Sequence, residues 1–437
     1  MINKLFTFIQ GKTEYLYENS LILKNLDLLI LISILAVFVF SAFAPSDSIG
    51  FFAIAASFLT FINLLIKRGE NLECNKFELF LLAYFMFVII SLCGSTLFVL
   101  SLKGFFKVLI YLGFYLSVVQ YLKNNNDKIW WIIMTIAGCV SFEVWHGLVQ
   151  TVIRPEAIST WQDTSYLNPE QIINRVYGTL KPYNPNLFGG YLVAAIPSLA
   201  AAFAYFTDKK QNILAIISGI FSLFSLYVLF QTGCRGAYLG LFVIILFLIT
   251  VSYRFFAEQY KNAYLSVVGG LSALGILFLM SVTSLRARIL SIFIMRADSS
   301  NSFRFNVYNS CIQMFKDNWL LGIGLGNNNF REIYGLYMKT GFDALSAYNI
   351  YLETAVESGI FALIFFVLFL FLTVYSAYKY IVTKEFSPEV LAVVAALASI
   401  IGLMVHGFVD TVFFRPQIHF IFWTMVAIIR VQVKNEY

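Results

Sequence analysis

The stretch IFALIFFVLFLFLTV at residues 360–374 carries no charge and marks the interior of a membrane-spanning helix. A bilayer crossing needs about 20 mostly apolar residues, and the flanking sequence supplies the remainder, so we place a span near residues 355–378. The preceding residues 285–354 form a long polar segment rich in Arg, Asn and Gly, and another apolar run comes before them. We expect the chemistry of the protein to lie in this polar segment between two spans.

The composition of the whole chain is that of a polytopic membrane protein. Of its 437 residues, 59% are hydrophobic and 12% are charged, whereas soluble domains are about half apolar and a quarter charged. The basic residues behind the net charge of +6 are scattered between apolar runs, so nucleic acid is not an expected partner. Because there is no C-x-x-C pair and no outer D-x-D, we expect no disulfide framework, no metal and no cofactor.

The apolar runs predict an all-α protein of about 12 transmembrane helices. Alternate connections carry Lys, for example Lys123, Lys209 and Lys379, and the positive-inside rule places them in the cytoplasm. We therefore expect a multi-pass protein of the cytoplasmic (inner) membrane, surrounded by membrane lipids, with both termini cytoplasmic. The predicted spans lie near residues 26–44, 49–66, 77–97, 101–122, 129–150, 187–206, 212–231, 236–253, 264–284, 355–378, 389–408 and 413–432.

These spans divide the chain into five parts. Residues 1–25 form a cytoplasmic lead-in, and 26–284 carry spans 1–9 with an outer loop at 151–186. Residues 285–354 form a large, partly helical outer (periplasmic) loop between spans 9 and 10. Residues 355–432 carry spans 10–12, and 433–437 form a cytoplasmic tail.

The large outer loop is predicted to contain one helix and one tight turn. Asp298 can cap a helix from about Ser302 to Lys316, with Arg304 in its first turn. The later Gly322-Ile-Gly-Leu-Gly326 has the wrong spacing and context for a dinucleotide-binding fingerprint. We interpret it as a sharp turn, and a backbone nest for an anion is the alternative.

The basic residues differ in type between the two sides of the membrane. The cytoplasmic set is almost all Lys, whereas Arg predominates outside. A planar guanidinium makes bidentate contacts to phosphate or carboxylate, so this outer face is suited to hold an anion. The alternative is that about half of these residues only snorkel at helix ends or pair with outer acids. The outer set is Arg154, Arg175, Arg235, Arg286, Arg288, Arg296, Arg304, Arg331 and Arg415.

Two pairs of ionisable residues lie in or beside predicted spans. Glu143 and His146 are three residues apart and His406 and Asp410 are four apart, so each pair shares a helix face. Ionisable groups inside a membrane are costly, and they face a polar cavity or each other. We interpret Glu143 and His146 as a structural hydrogen-bonded pair. For His406 and Asp410 a structural role and a place in the site are both open.

A series of short motifs resembles one family when taken in order along the chain. The chain is similar to the O-antigen ligase and polymerase superfamily over about residues 26–430, and most similar to its cyanobacterial-type branch, which is named for bicarbonate transport. The motifs are Asn174-Arg-Val-Tyr-Gly-Thr-Leu180, Asn184-Pro-Asn-Leu187, Gly233-Cys-Arg-Gly-Ala-Tyr238, Asp298-Ser-Ser-Asn-Ser-Phe-Arg304, Gly322-Ile-Gly-Leu-Gly326, Tyr348-Asn-Ile-Tyr-Leu-Glu353 and His406-Gly-Phe-Val-Asp-Thr-Val412.

The resemblance implies an enzyme of polysaccharide or lipopolysaccharide biosynthesis. It would transfer a glycan from undecaprenyl pyrophosphate to a hydroxyl of a glycan or lipid acceptor, outside the membrane and without metal. Arg235 and Arg304 would hold the pyrophosphate, and Tyr348 stands where the ligases have a His base. A phenol, with a pKa of about 10, is a poor base, so we expect Tyr348 to orient the acceptor and His406 or Glu353 to act as any base. The substrate-binding candidates are Arg175, Asn186, Asn349, Asp410 and Arg415.

Two other classes of function stay open. The same Arg residues would attract a small anion such as bicarbonate in a transporter, and a chain without the His base would serve as a non-catalytic membrane scaffold. A continuous polar path to the cytoplasm favours transport, whereas a lipid-open groove that ends at the two Arg residues favours transfer.

Overall fold

The computed structural model describes residues 2–67, 71–72, 76–153, 175–290 and 299–433, and within these ranges it contains helices and no strand. The all-α prediction is confirmed. The predicted cap at Asp298 lies outside the described residues, as do Arg154 and Arg296. The helices are α1 (Ile2–Asn19), α2 (Leu21–Lys24), α3 (Leu26–Ser41), α4 (Ser46–Ile66), α5 (Lys76–Gly94), α6 (Phe98–Asn124), α7 (Ile129–Ile153), α8 (Pro185–Asp208), α9 (Asn212–Gln231), α10 (Arg235–Phe255), α11 (Glu258–Ser281), α12 (Thr283–Leu290), α13 (Ser299–Asp317), α14 (Asn327–Tyr334), α15 (Ile350–Thr383), α16 (Pro388–His406) and α17 (Pro416–Gln432).

Among the described residues, nine helices are long and apolar enough to cross a membrane. They occupy the second and the fourth to eleventh predicted positions, and the shorter apolar helices Leu26–Ser41 and Glu78–Gly94 occupy the first and third. Helix α17 lies at the twelfth position. The multi-pass class is thus confirmed, while the count of twelve crossings stays a prediction.

The bundle is centred on α8 and α16, which are buried over most of their length. Small residues let their neighbours approach closely, since a methyl group at Gly240 of α10 would lie 2.8 Å from the carbonyl oxygen of Gly402 in α16. Such contacts drive helix association in lipid, where water exclusion contributes little. Helix α11 lies at the edge and has no buried residue. The tightly packed α8, α10 and α16 therefore form a rigid base for their outer ends.

Polar residues at membrane depth are tied to defined partners. Arg430 of α17 donates to Glu78 of α5 at 2.6 Å, and both side chains are almost fully buried. Glu143 accepts the backbone N–H of Thr179 at 2.9 Å and its hydroxyl at 2.5 Å. The predicted pairing of Glu143 with His146 is wrong, because the loop before α8 folds back over α7 and supplies two better donors.

The outer polar segment has a small hydrophobic core of its own, distinct from the core of the bundle. Helix α13 begins three residues earlier than predicted, so Arg304 lies in its second turn and not in its first. Helix α15 begins at Ile350, before the predicted end of the loop, and Gly359 breaks it with a φ of +80°. The span predicted from hydropathy, residues 355–378, therefore began five residues after the helix does.

The glycine-rich segment before α14 is a turn that ties the outer segment to the membrane helices. The N–H groups of Ile323 and Gly324 donate to the carbonyls of residues 356 and 357, and that of Gly326 donates to Glu357 Oε1 at 2.9 Å. The N–H of Leu325 donates to Ser101 Oγ. Because all four N–H groups are satisfied internally, the segment is a turn and not an anion nest.

Candidate active site

Arg304, Asp410 and Tyr348 meet at the end of the bundle that carries α13 and α14. An Arg304 nitrogen lies 3.3 Å from a carboxylate oxygen of Asp410, and the guanidinium carbon lies 5.8 Å from the centre of the Tyr348 ring. The Arg304 and Asp410 side chains are 16% and 5% exposed, so bulk water screens their interaction weakly. The structure thus brings together three predicted site residues from three separate parts of the chain.

Local backbone structure fixes Asp410. Its Oδ1 accepts the N–H of Thr411 at 2.8 Å and of Val412 at 3.1 Å, which makes an Asx-type turn after α16. Its Oδ2 lies towards Arg304. The carboxylate is therefore preorganised, and it orients Arg304 without using all five guanidinium donors.

Arg175 approaches the same cluster from the loop before α8. Its Nε donates to the Thr232 carbonyl at 2.6 Å, and its Nη2 donates to Asn186 Oδ1 at 2.5 Å. Gly233 has a φ of +64°, and a Cβ there would lie 3.0 Å from Arg175 Nε, so glycine permits the approach. Burial lowers the pKa of Arg175, and the charge of Arg304 acts in the same direction. The predicted residues Arg175 and Asn186 thus form one unit within electrostatic range of Arg304.

Arg235 begins α10 directly after this turn, and it is buried. The glycines on either side of Arg235 pack closely against other residues, and this packing fixes where helix α10 starts. Gly233 packs against Arg175 on one side, and a Cβ at Gly236 would lie 2.6 Å from the His406 ring on the other. The N-terminus of α10 adds a partial positive charge at this point. Sequence motif and helix position therefore place a third arginine at the same end of the bundle.

His406 is fully buried behind the first turn of α10. Its Nε2 lies 3.6 Å from Cys234 Sγ, and its Nδ1 has no hydrogen-bond partner among the described residues. A Cβ at Gly190 would lie 3.1 Å from the ring, which shows how closely α8 covers it. His406 thus supports the start of α10 from inside, and its predicted role as a base stays a prediction.

Tyr348 lies in the turn before α15 with a φ of +51°, in the left-handed region that side chains other than glycine rarely adopt. The Tyr308 hydroxyl holds the turn by donating to the Tyr348 carbonyl at 3.1 Å. Burial raises the pKa of Tyr348, the Asp410 charge raises it further, and Arg304 opposes both. The phenol therefore stays protonated at neutral pH, as the sequence argument requires for an orienting residue.

Asn349 and Glu353 make structural contacts next to Tyr348. Asn349 Oδ1 caps α15 by accepting from the N–H groups of residues 351 and 352, and its Nδ2 donates to the Phe408 carbonyl at 3.1 Å. Glu353 Oε2 accepts the Ala347 N–H at 2.9 Å. Both ends of the Asn349 amide are thus engaged within the protein, whereas Glu353 keeps one oxygen towards a neighbouring cleft.

That cleft also receives Arg415, the remaining predicted residue. Arg415 is exposed, lies at the start of α17 and lines a cleft of about 290 Å³ together with Glu353. The structure therefore divides the predicted residues between two places. Tyr348 and Arg175 lie near the pair of Arg304 and Asp410, and Arg235 begins the neighbouring helix α10. Arg415 and Glu353 line the cleft. In the described ranges, no group of three or more His, Cys, Asp or Glu residues has an arrangement suited to a metal ion.

Comparison with known proteins identifies the relationship. Residues 220–367 match the family model described as O-antigen ligase. This part of the chain is similar to the O-antigen ligases. It is also 23% identical over 376 residues to the teichuronic acid biosynthesis protein TuaE of Bacillus subtilis (strain 168), an alignment that covers 83% of this chain and 72% of that protein.

The part that matches the O-antigen ligases contains four predicted catalytic residues, namely Arg235, Arg304, Tyr348 and Glu353. Asp410, which contacts Arg304, and Arg175, which lies within electrostatic range of it, are outside this part of the sequence and are brought to it by the fold. Relationship and geometry together support a membrane protein that processes glycans as a ligase or polymerase.

Sequence reasoning missed two residues beside the site. Lys107 lies within α6, and Glu357 lies in the first turns of α15, and both line the cleft. A signal was present for Lys107, since an ionisable residue inside a predicted span is a functional candidate by default. Glu357 lay just inside the predicted start of span 10, and its closeness to Lys107 required the structure.

Proposed function

We propose that this protein is a glycan transferase of the O-antigen ligase or polymerase type, and that it acts at the outer face of the cytoplasmic membrane. The donor is a glycan on undecaprenyl pyrophosphate, and the acceptor is a hydroxyl group of a glycan or lipid. The observation that carries this proposal is that Arg304 pairs with a single ordered carboxylate, Asp410, and that Arg175 lies within electrostatic range of this pair. Arg235 begins α10 at the same end of the bundle, next to the turn that packs on Arg175. The arrangement leaves a surplus of positive charge.

In the proposed reaction the acceptor oxygen attacks the anomeric carbon of the donor glycan. A new C–O bond forms, the bond to pyrophosphate breaks, and its electron pair remains on the pyrophosphate oxygen. The acceptor proton is released. Negative charge therefore develops on the leaving group, where Arg235 and Arg304 stabilise it, and one such preorganised donor contributes about 10²–10³ in rate.

The guanidinium groups would supply the charge that a divalent metal supplies in other transferases. The proposal places the site on the outside of the cytoplasmic membrane, because the Lys-rich connections favour the cytoplasmic side. It also gives Tyr348 the task of orienting the acceptor, since its protonated phenol can donate one hydrogen bond.

The proposal is tested with purified protein in liposomes that contain a lipid-linked glycan. We expect release of undecaprenyl pyrophosphate in the presence of a chelator, and a loss of about 10²–10³ in rate for Arg304→Ala. The matched control is Arg331→Ala, because Arg331 lies in the same outer segment and makes only an exposed pair with Asp343. If no donor is consumed and labelled bicarbonate enters in an Arg235-dependent way, the protein is an anion transporter instead.

A further inference from the structure

The cleft beside the candidate site has a chemistry of its own. It lies between the helices α4 and α6, the turn from Leu325 to Asn327, the first turns of α15 and the chain from Phe414 to Pro416. Its volume is about 290 Å³, at the small end of the range for small-molecule sites. It borders the candidate site at Glu353 and is not lined by the Arg304 pair.

Two cations face this cleft. Lys107 lies nine residues after the start of α6, about 13 Å along its axis, and an ammonium group within a membrane helix is costly. In the described part of the chain, neither Lys107 nor the Arg415 side chain makes a hydrogen bond or an ion pair. Both are exposed towards the cleft and lack a direct protein partner, so they are available to a ligand.

Two carboxylates face the same space. Glu357 Oε1 accepts the Gly326 N–H at 2.9 Å, and Glu353 uses Oε2 for the Ala347 N–H. These bonds anchor the carboxylates and leave an oxygen of each towards the cleft. The polar part of the cleft lining therefore combines two fixed hydrogen-bond acceptors, Glu353 and Glu357, with two cations, Lys107 and Arg415.

The remaining wall is apolar and aromatic. Tyr111, Phe414 and Phe420 contribute rings, and Ile54, which is 50% exposed on the outside of the bundle, forms part of the rim. A lipid phosphate could contact Lys107, but by itself it brings no hydroxyl group to the two acidic side chains. A sugar suits this cleft better, because its hydroxyls donate to carboxylates while its C–H faces pack on aromatic rings.

We propose that this cleft binds the acceptor end of an acidic glycan. A carboxylate or phosphate on the sugar contacts Lys107 and Arg415, and neighbouring hydroxyls donate to Glu353 and Glu357. The role as acceptor site depends on the proposed function, whereas the binding of an acidic sugar does not. Glu353 connects the two sites, since it lines the cleft and its segment carries Tyr348.

The experiment measures sugar binding by calorimetry with the full chain in phosphatidylcholine nanodiscs. The probes are a glucuronate-containing, a phosphorylated and a neutral tetrasaccharide. We expect at least one acidic probe to bind about tenfold or more tightly than the neutral one, because a single charged hydrogen bond accounts for a difference in affinity of about that size. Lys107→Gln should abolish this preference, and Lys107→Arg should retain it. The control Lys103→Gln, on the same helix but outside the cleft lining, should also retain it.

Equal binding of acidic and neutral probes, or an unchanged preference in Lys107→Gln, overturns the inference. A lipid site would show a different pattern. Native mass spectrometry would then find phosphatidylglycerol bound to the wild type and not to Lys107→Gln. No acidic sugar would bind the wild type more tightly than the variant. This result also overturns the inference. Because binding is measured without turnover, acidic-sugar binding with no donor consumption refutes the proposed function and leaves the sugar site standing.

Discussion

Replacing Arg304 with Lys tests whether the geometry of the guanidinium, beyond its charge, is what the site needs. Arg304 contacts Asp410 at 3.3 Å and lies over the Tyr348 ring, and the rest of its five donors are available to a pyrophosphate. A Lys ammonium offers three donors at one point. If the Lys ammonium keeps the contact with Asp410, it can replace one charged hydrogen bond of Arg304 to the leaving group but not a second. A charged hydrogen bond contributes about 1.5–3 kcal/mol. We therefore expect kcat/KM to fall about 10- to 150-fold.

The assay is the release of undecaprenyl pyrophosphate from a lipid-linked glycan in proteoliposomes with equal amounts of folded protein. Arg331→Lys is the matched control, since the Arg331 and Asp343 side chains are 54% and 57% exposed and an exposed pair contributes little. Thermal unfolding of each variant separates a loss of rate from a loss of fold. Wild-type activity in Arg304→Lys would refute the role of the guanidinium as a bidentate ligand of the leaving group.

Three further predictions follow from the same structure. Arg235→Lys should lose most complementation of the cellular function at normal membrane abundance, because one ammonium does not replace a fork on a pyrophosphate; full complementation contradicts the site. Tyr348→Phe should reduce kcat/KM by about tenfold at most, the value of one neutral hydrogen bond, and a larger loss would give the phenol a chemical role. Phosphatase fusions should be active at Asn327 and inactive at Lys123, and activity at Lys123 would invert the topology and remove the outer site.

The sequence was sufficient for the class of fold but not for the ends of its elements. Apolar runs located the helices, because spanning a bilayer forces a long stretch of one composition. The boundaries of α15 failed for a physical reason. Its first turns hold Glu353, which was assigned to the loop, and Glu357, and Gly359 separates both from the apolar run. Composition cannot show that a polar turn and an apolar helix are nearly continuous.

The candidate site was partly predictable from two patterns. Arginine predominates over lysine on the predicted outer side, and an ionisable residue at membrane depth is costly enough to need a reason. Arg304 and Asp410 were named separately, and only the fold shows that residues 106 positions apart form a pair. His406 shows the limit of this reasoning, since its spacing from Asp410 suggested a shared site. The structure puts its ring behind α10, against Cys234, and the role of His406 in the site stays a prediction.

The replacement of the ligases' His by Tyr348 has a consequence for how the proposed reaction divides its work. Transfer from a glycosyl donor passes through an oxocarbenium-like transition state. In this state the bond to the leaving group is broken further than the bond to the acceptor is formed. Stabilising the pyrophosphate therefore lowers the barrier more than deprotonating the acceptor does. In the proposal Arg235 and Arg304 meet the first demand, and the protonated Tyr348 cannot meet the second. The acceptor hydroxyl therefore keeps its proton until the new bond is largely formed, when it is acidic enough for water or a carboxylate such as Glu353 to accept the proton. A site of this kind depends on placing the acceptor, and this is the task that we propose for the charged cleft at Glu353.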